Sequence, residues 1–122
     1  MNFIIKWELK GTAEVGYVLN KTYEELHGND VLSELQRLVD GRIEVITYID
    51  GAVLLMNEEA VINGMPVWAV KEDHELNRYV PEHFVINDQK VLVGPVVMCS
   101  DDGIEFSGFK SIEECKEVLR NK

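Results

Sequence analysis

Positive charge is scarce in this chain. Twelve lysines and arginines stand against 22 aspartates and glutamates, which leaves a net charge of −10 over 122 residues. Such a surface repels phosphate backbones, so direct nucleic-acid binding is disfavoured. Long apolar runs are missing too. The longest are Ala52–Met56 and Val91–Met98, the second interrupted by Gly94 and Pro95, whereas a bilayer span needs roughly 20 residues. Residues 1–6 carry no basic segment, apolar core and small-residue cleavage site of an export signal. No membrane partner is implied, and a cytoplasmic location is expected. The two cysteines, Cys99 and Cys115, then read as reduced thiols that pack as small hydrophobes. Three prolines and no Gly/Ser-rich linker leave nothing to divide the chain, so a single domain over residues 1–122 is expected.

Catalytic patterns are equally sparse. No Gly-x-Ser-x-Gly, His-x-x-x-His or Cys-x-x-Cys spacing occurs, and the nine glycines never form a phosphate-cradling loop. Asp73-His74-Glu75 and Glu82-His83 supply metal-ligand residue types, but their spacing gives no convergent geometry and they read as a solvated acidic loop. Glu58 and Glu59 could form an acid/base pair only if they shared a proton. Neighbours on a strand point to opposite faces, and on a turn they are hydrated, so neither setting favours it. Asn57, just before them, reads as a turn cap. A non-enzymatic protein with no cofactor and no bound metal is the expectation.

What the sequence does contain is an ordinary globular balance, 46% hydrophobic and 28% charged, with legible periodicities. Phe3–Leu9 alternates as a half-buried strand, Lys10-Gly11-Thr12 reads as a turn, and Glu14–Leu19 as its hairpin partner. Thr22–His27 reads as a further turn or short helix, broken by Gly28. Asn29 or Asp30 can cap a helix running to Val39, whose stripe is Val31, Leu35, Leu38 and Val39, and Gly41 suits its left-handed C-cap. Ile43–Tyr48 and Ala52–Met56 flank Asp50-Gly51, a strong hairpin signal. Asn63-Gly64 makes another turn before Met65-Pro66, and Val67–Val70 is a short strand or extended segment. Residues 71–90 read mostly as loop, with an apolar run at Phe84–Ile86 and a turn at Asn87-Asp88. Val91–Cys99 reads as one central strand with a bulge or kink at Gly94-Pro95. Ser111 and Glu114 form a capping box for a last helix that buries Ile112, Cys115, Val118 and Leu119. Strands, helix, strands, helix, joined by hairpin turns, define an α+β fold: a mostly antiparallel or mixed sheet with two helices packed on one face.

One ordered set of segments goes further. Val31-Leu32-Ser33-Glu34-Leu35-Gln36-Arg37-Leu38-Val39-Asp40-Gly41-Arg42-Ile43-Glu44, then Met56-Asn57-Glu58-Glu59, Asn63-Gly64-Met65-Pro66 and Val93-Gly94-Pro95-Val96-Val97, occur in this order before a C-terminal helix. Together they resemble the domain of unknown function family 3846, over roughly residues 29–120, with residues 1–28 as an N-terminal hairpin extension. The family usually shows an Asn shortly after the third segment, where this chain has Val67-Trp68; residues 72–90 have no placed counterpart. The resemblance implies a setting in phages, plasmids and other mobile elements, and no established activity. Small acidic proteins of that setting are often inhibitors of host defence or accessory factors.

Two functional readings compete. Acidic residues concentrate in 58–75 and 101–117, so Glu58, Glu59, Asp101, Asp102 and Glu105 could form a face for a protein with a basic surface, of host or phage origin, provided the fold unites them. The alternative is a small-ligand, nucleotide-like sponge in which Trp68 and Tyr79 stack on a ring and Arg78 meets an anionic group; Trp68 reads equally well as a core residue. An exposed edge strand would additionally allow a homodimer.

Overall fold

The computed structural model describes residues 2–120; Met1, part of the N-terminal segment considered above, and residues 121–122 lie outside it. The elements follow in the order β1 (Asn2–Thr12), β2 (Gly16–Leu26), α1 (Val31–Leu38), β3 (Ile43–Ile49), β4 (Ala52–Asn57), β5 (Val67–Ala69), a 3-10 turn (Asn77–Tyr79), β6 (Val85–Ile86), β7 (Gln89–Val93), β8 (Val96–Asp101), β9 (Phe106–Ser107) and α2 (Ile112–Arg120). The main sheet has the order β2-β1-β8-β4-β3, with β9 pairing the end of β8. A small sheet has the order β5-β7-β6. Every pairing is antiparallel, and the fold is α+β, dominated by sheet.

Both faces of the main sheet are covered. Successive side chains on a strand point to opposite sides. Ile4, Val53, Leu55, Val97 and Cys99 therefore join Leu35, Leu38 and Val39 of the first helical segment in one core. Ile5, Trp7, Leu54, Met56, Val96 and Met98 join Cys115 and Leu119 of α2, together with Trp68 and Leu92 of the small sheet, in the other. The two helices thus serve opposite faces rather than one shared face. A stripe on a helix announces that it is buried but not which side of a sheet receives it. Each fully buried side chain such as Leu35 contributes roughly 1.5–3 kcal/mol, and this tertiary term sustains an α1 of only eight residues. Among the described residues no helix is long and apolar enough to cross a membrane.

Several local expectations change. The Lys10-Gly11-Thr12 segment continues β1 instead of turning, and the turn falls at residues 13–15. Gly11 is needed for close approach: a Cβ there would lie 2.1 Å from the carbonyl oxygen of Gly16. Thr22–His27 forms no helix; through Leu26 it extends β2 in register with Asn2–Lys6. At the end of α1 the left-handed residue is Asp40 (φ 62°), one position before the expected Gly41. Val91–Cys99 is not one strand. Gly94 (φ 71°) and Pro95 divide it, so β7 serves the small sheet and β8 the main one. Ile112 stays exposed, while Cys115 and Leu119 are buried and Val118 is half-buried. Within 71–90, Leu76 and Val80 are buried and anchor the segment to the core.

Candidate functional site

The end of the sheet where β4 stops and β8 starts gathers most of the segments singled out from the sequence. It begins at the close of α1. The Asp40 amide donates to the Arg37 carbonyl (3.2 Å) and the Gly41 amide to that of Gln36 (2.9 Å), a Schellman arrangement that satisfies the last carbonyls of the helix. Gly41 then passes so close to Asn57 that an added Cβ would sit 2.7 Å from its Nδ2. Asn57 is 1% exposed, and among the described residues it is the buried polar one. Its Nδ2 donates to the Val39 carbonyl (2.9 Å), and its Oδ1 accepts from the Glu59 amide (2.7 Å). The expected turn-capping role is thus present, with a second bond that ties β4 to α1. The Glu58 amide adds a third link, donating to the Arg42 carbonyl (2.8 Å).

This anchoring shapes the following turn. Asn63 donates to the Glu59 carbonyl (2.9 Å) and Met65 to that of Ala60 (3.0 Å), while Ala60 is buried. With the backbone bonded inward, Val61 and Ile62 are left 74% and 81% exposed beside the exposed Glu58 and Glu59. Beyond the turn, the Gly94 amide donates to the Pro66 carbonyl (2.8 Å), and a Cβ on Gly94 would meet the Met65 sulfur at 2.8 Å. Trp68 is buried, and its Nε1 donates to the Gly94 carbonyl (2.9 Å). A cavity of about 160 Å³ lies here, lined by Leu9, Met65, Pro66, Trp68, Gly94 and Pro95 together with the acids Glu8 and Asp40.

The remaining acidic candidates lie elsewhere. Antiparallel pairing sets Met56 opposite Val96 but Ala52 opposite Ser100, about 13 Å further along the strand at 3.3 Å per residue. Asp101, Asp102 and Glu105 therefore occupy the far end from Glu58 and Glu59, and the five residues form no single face. Two of them are already engaged. Asp101 Oδ1 accepts from the Gly103 amide (3.0 Å), and Asp102 Oδ1 from the Ile104 and Glu105 amides (2.8 and 2.9 Å). The bonds from Glu105 and then Ile104 hold the Asp102 carboxyl below its ordinary pKa.

Nor do Trp68, Tyr79 and Arg78 build a stacking site. Trp68 is a core residue, and the cavity it lines is bordered by neither of the others. Arg78 lies over the Tyr79 ring (4.8 Å to its centroid) and donates through Nη2 to the Leu119 carbonyl, capping the end of α2. The Asp73-His74-Glu75 run is similarly occupied. Glu75 accepts from Trp7 Nε1 (3.0 Å) and from Lys21 Nζ (2.9 Å). Burial alone would lower the Lys21 pKa, but the bonds to Glu75 and Tyr23 outweigh it and raise it. His74 Nδ1 accepts from the Leu76 amide (3.0 Å).

Sequence reasoning singled out Glu58, Glu59 and Asn57 as candidates, whereas Val61 and Ile62 were not among them. The available signal was their place between an Asn-Glu-Glu run and an Asn-Gly turn, a span too short to form a strand of its own. A family model, described as a domain of unknown function (DUF3846), matches residues 15–120. No curated protein and no solved structure matches the chain.

Proposed function

The chain belongs to the DUF3846 family, and from that premise we propose that it acts without catalysis, by binding a protein through the end of the sheet that carries the 58–64 turn. The observation that carries this reading is the pairing of rigidity with exposure. Asn57, Gly41 and the backbone bonds of Glu59 and Ala60 fix the turn, yet its two apolar side chains, Val61 and Ile62, face solvent. A preordered apolar tip loses little conformational entropy on docking, and a cleft in the partner is its natural receptor.

Glu58 and Glu59 border that tip, so the partner's cleft is rimmed by basic side chains. The neighbouring cavity of about 160 Å³ has room for one apolar side chain of the partner. It falls below the roughly 300 Å³ at which small-molecule sites begin, so this cavity is not the place of a nucleotide-like ligand. The mobile-element setting implied by the family resemblance supports a phage or host protein as the partner and the cytoplasm as the place of contact. Inhibition of host defence or an accessory role fits such a contact.

The test is capture of proteins from host lysate on the tagged chain at low and moderate salt, identified by mass spectrometry. A basic protein should bind at low salt and elute as salt rises. Capture should be lost with Glu58→Lys/Glu59→Lys and with Val61→Ser/Ile62→Ser, and kept with Glu105→Lys at the far end. Equal capture by all four proteins would refute the assignment of this surface.

A further inference from the structure

The opposite flank of the main sheet carries a different surface. β2 ends the strand order, so among the described residues its outer backbone edge pairs with nothing. Sheet edges are usually guarded, because unpaired N–H and C=O groups invite another strand. The other edge, β3, has seven residues and a register shift between Val45 and Thr47. β2 has eleven residues, no proline and an unbroken register with β1 from Asn2–Leu26 to Thr12–Gly16. Its lysine is no guard either, since Lys21 Nζ is bonded to Glu75 and lies over the Trp7 and Tyr23 rings. Only Ile5–Trp7 of β1 pairs with β8, so the outer half of the β1–β2 ribbon stands beyond the sheet. It carries Tyr17 and Val18, 58% and 69% exposed, on β2, with Val15 at its tip, 82% exposed.

Charge distinguishes among occupants. Residues 2–26 hold three lysines and four glutamates, a net −1, so −9 of the total −10 lies in the rest of the chain. A basic partner is drawn to the rest. Two copies of this chain, by contrast, repel each other least where their like charge is smallest, and that is this ribbon. We infer that the outer edge of β2 pairs antiparallel with β2 of a second copy, giving a two-fold dimer with one continuous sheet. A two-fold centred on Asn20 sets Tyr17 opposite Tyr23 and Val18 opposite Thr22, brings the exposed half of the strand into the pairing, and places no like charges opposite each other. The acidic ends that carry the 58–64 turns are left free on both copies.

The test is sedimentation of the full chain over a range of concentrations, with amide hydrogen exchange of β2. Twice the chain mass of 13.9 kDa should appear as concentration rises, together with slower exchange in residues 16–26. Added salt should strengthen the association, since two like-charged copies are being screened. Val18→Lys/Thr22→Lys sets lysines opposite each other and should weaken dimerisation at least tenfold while leaving the far-UV spectrum unchanged. Val61→Ser/Ile62→Ser should dimerise normally, which separates this inference from the proposed binding function. A single 13.9 kDa species at every concentration overturns the dimer. A dimer whose β2 amides exchange at the monomer's rate overturns the edge.

Discussion

The Nδ2 of Asn57, at the end of β4, lies 2.9 Å from the carbonyl oxygen of Val39, the C-cap residue of α1. One buried amide therefore joins the helix on one face of the sheet to the turn at the end of a central strand. Asn57→Ala leaves the Val39 carbonyl and the Glu59 amide without these partners, at a cost of roughly 1–3 kcal/mol for each group left buried and unpaired. Gly41→Ala is destabilising for a related reason, because its Cβ would lie 2.7 Å from Nδ2. Removing the amide makes room for that methyl, so the double variant should lose less than the two single losses combined. Urea unfolding of the four proteins measures this, and strict additivity would refute the contact.

Trp68 is a wall and a hydrogen-bond donor together. Trp68→Ala should lose about 3–5 kcal/mol as a core truncation. Trp68→Phe keeps most of the apolar volume but leaves the Gly94 carbonyl without its indole donor, and should lose about 1 kcal/mol from the bond itself. Equal losses in the two variants, again by urea unfolding, would show that packing contributes nothing.

His74 makes stability depend on pH. Its pKa lies below 6.5 chiefly because burial disfavours the cation; Glu75 and Asp73 oppose this and Lys21 reinforces it. Nδ1 accepts from the Leu76 amide, which only an unprotonated nitrogen does. The unfolded chain thus takes up the proton more readily than the folded one, so this contribution is fully present above pH 6.5 and lost as pH falls below it. His74→Asn keeps an acceptor without the titration and should flatten that part of the decline in urea midpoint. An unchanged profile would remove His74 from the account.

Both thiols should be silent in the native protein. Burial pushes Cys99 up to about 12, with Asp101 adding to the effect, and Cys115 up to about 11, with Glu114 adding. Thiolate is the reactive form, so at neutral pH a disulfide reagent should label each at least about a hundredfold more slowly than a free cysteine. Unfolding in urea should release two equivalents. Prompt labelling without urea would contradict the burial of either residue.

Local chemistry was legible in the sequence where it is set by neighbours along the chain. Asp30 caps α1 through the Ser33 amide (3.1 Å), and Ser111 caps α2 through the Glu114 amide (3.1 Å). Gly51, with a positive φ, turns the β3–β4 hairpin, and Asn87 and Asp88 turn the β6–β7 hairpin. What was not legible depends on distant partners. β4 is buried at all six positions, so its pattern gave no face, and the side taken by each helix followed from residues far along the chain. The supposed acidic face failed for the same reason: the register of β4 against β8 separates Glu58 and Glu59 from Asp101 and Asp102. At the candidate site, the Asn57 turn cap was readable, whereas its bond to Val39, eighteen residues away, was not.

The place of β8 bears on how the protein is made. β1 bonds to β2 and β8, and β4 to β3 and β8, so no ladder joins the first ribbon to the α1–β3–β4 unit without β8. A chain emerging from the ribosome carries two unconnected half-sheets, each with one apolar flank unmet, until residues 96–101 arrive. Completion of the main sheet therefore waits until all four of the strands it unites have been made, and is gated by a strand delivered through the Gly94–Pro95 step.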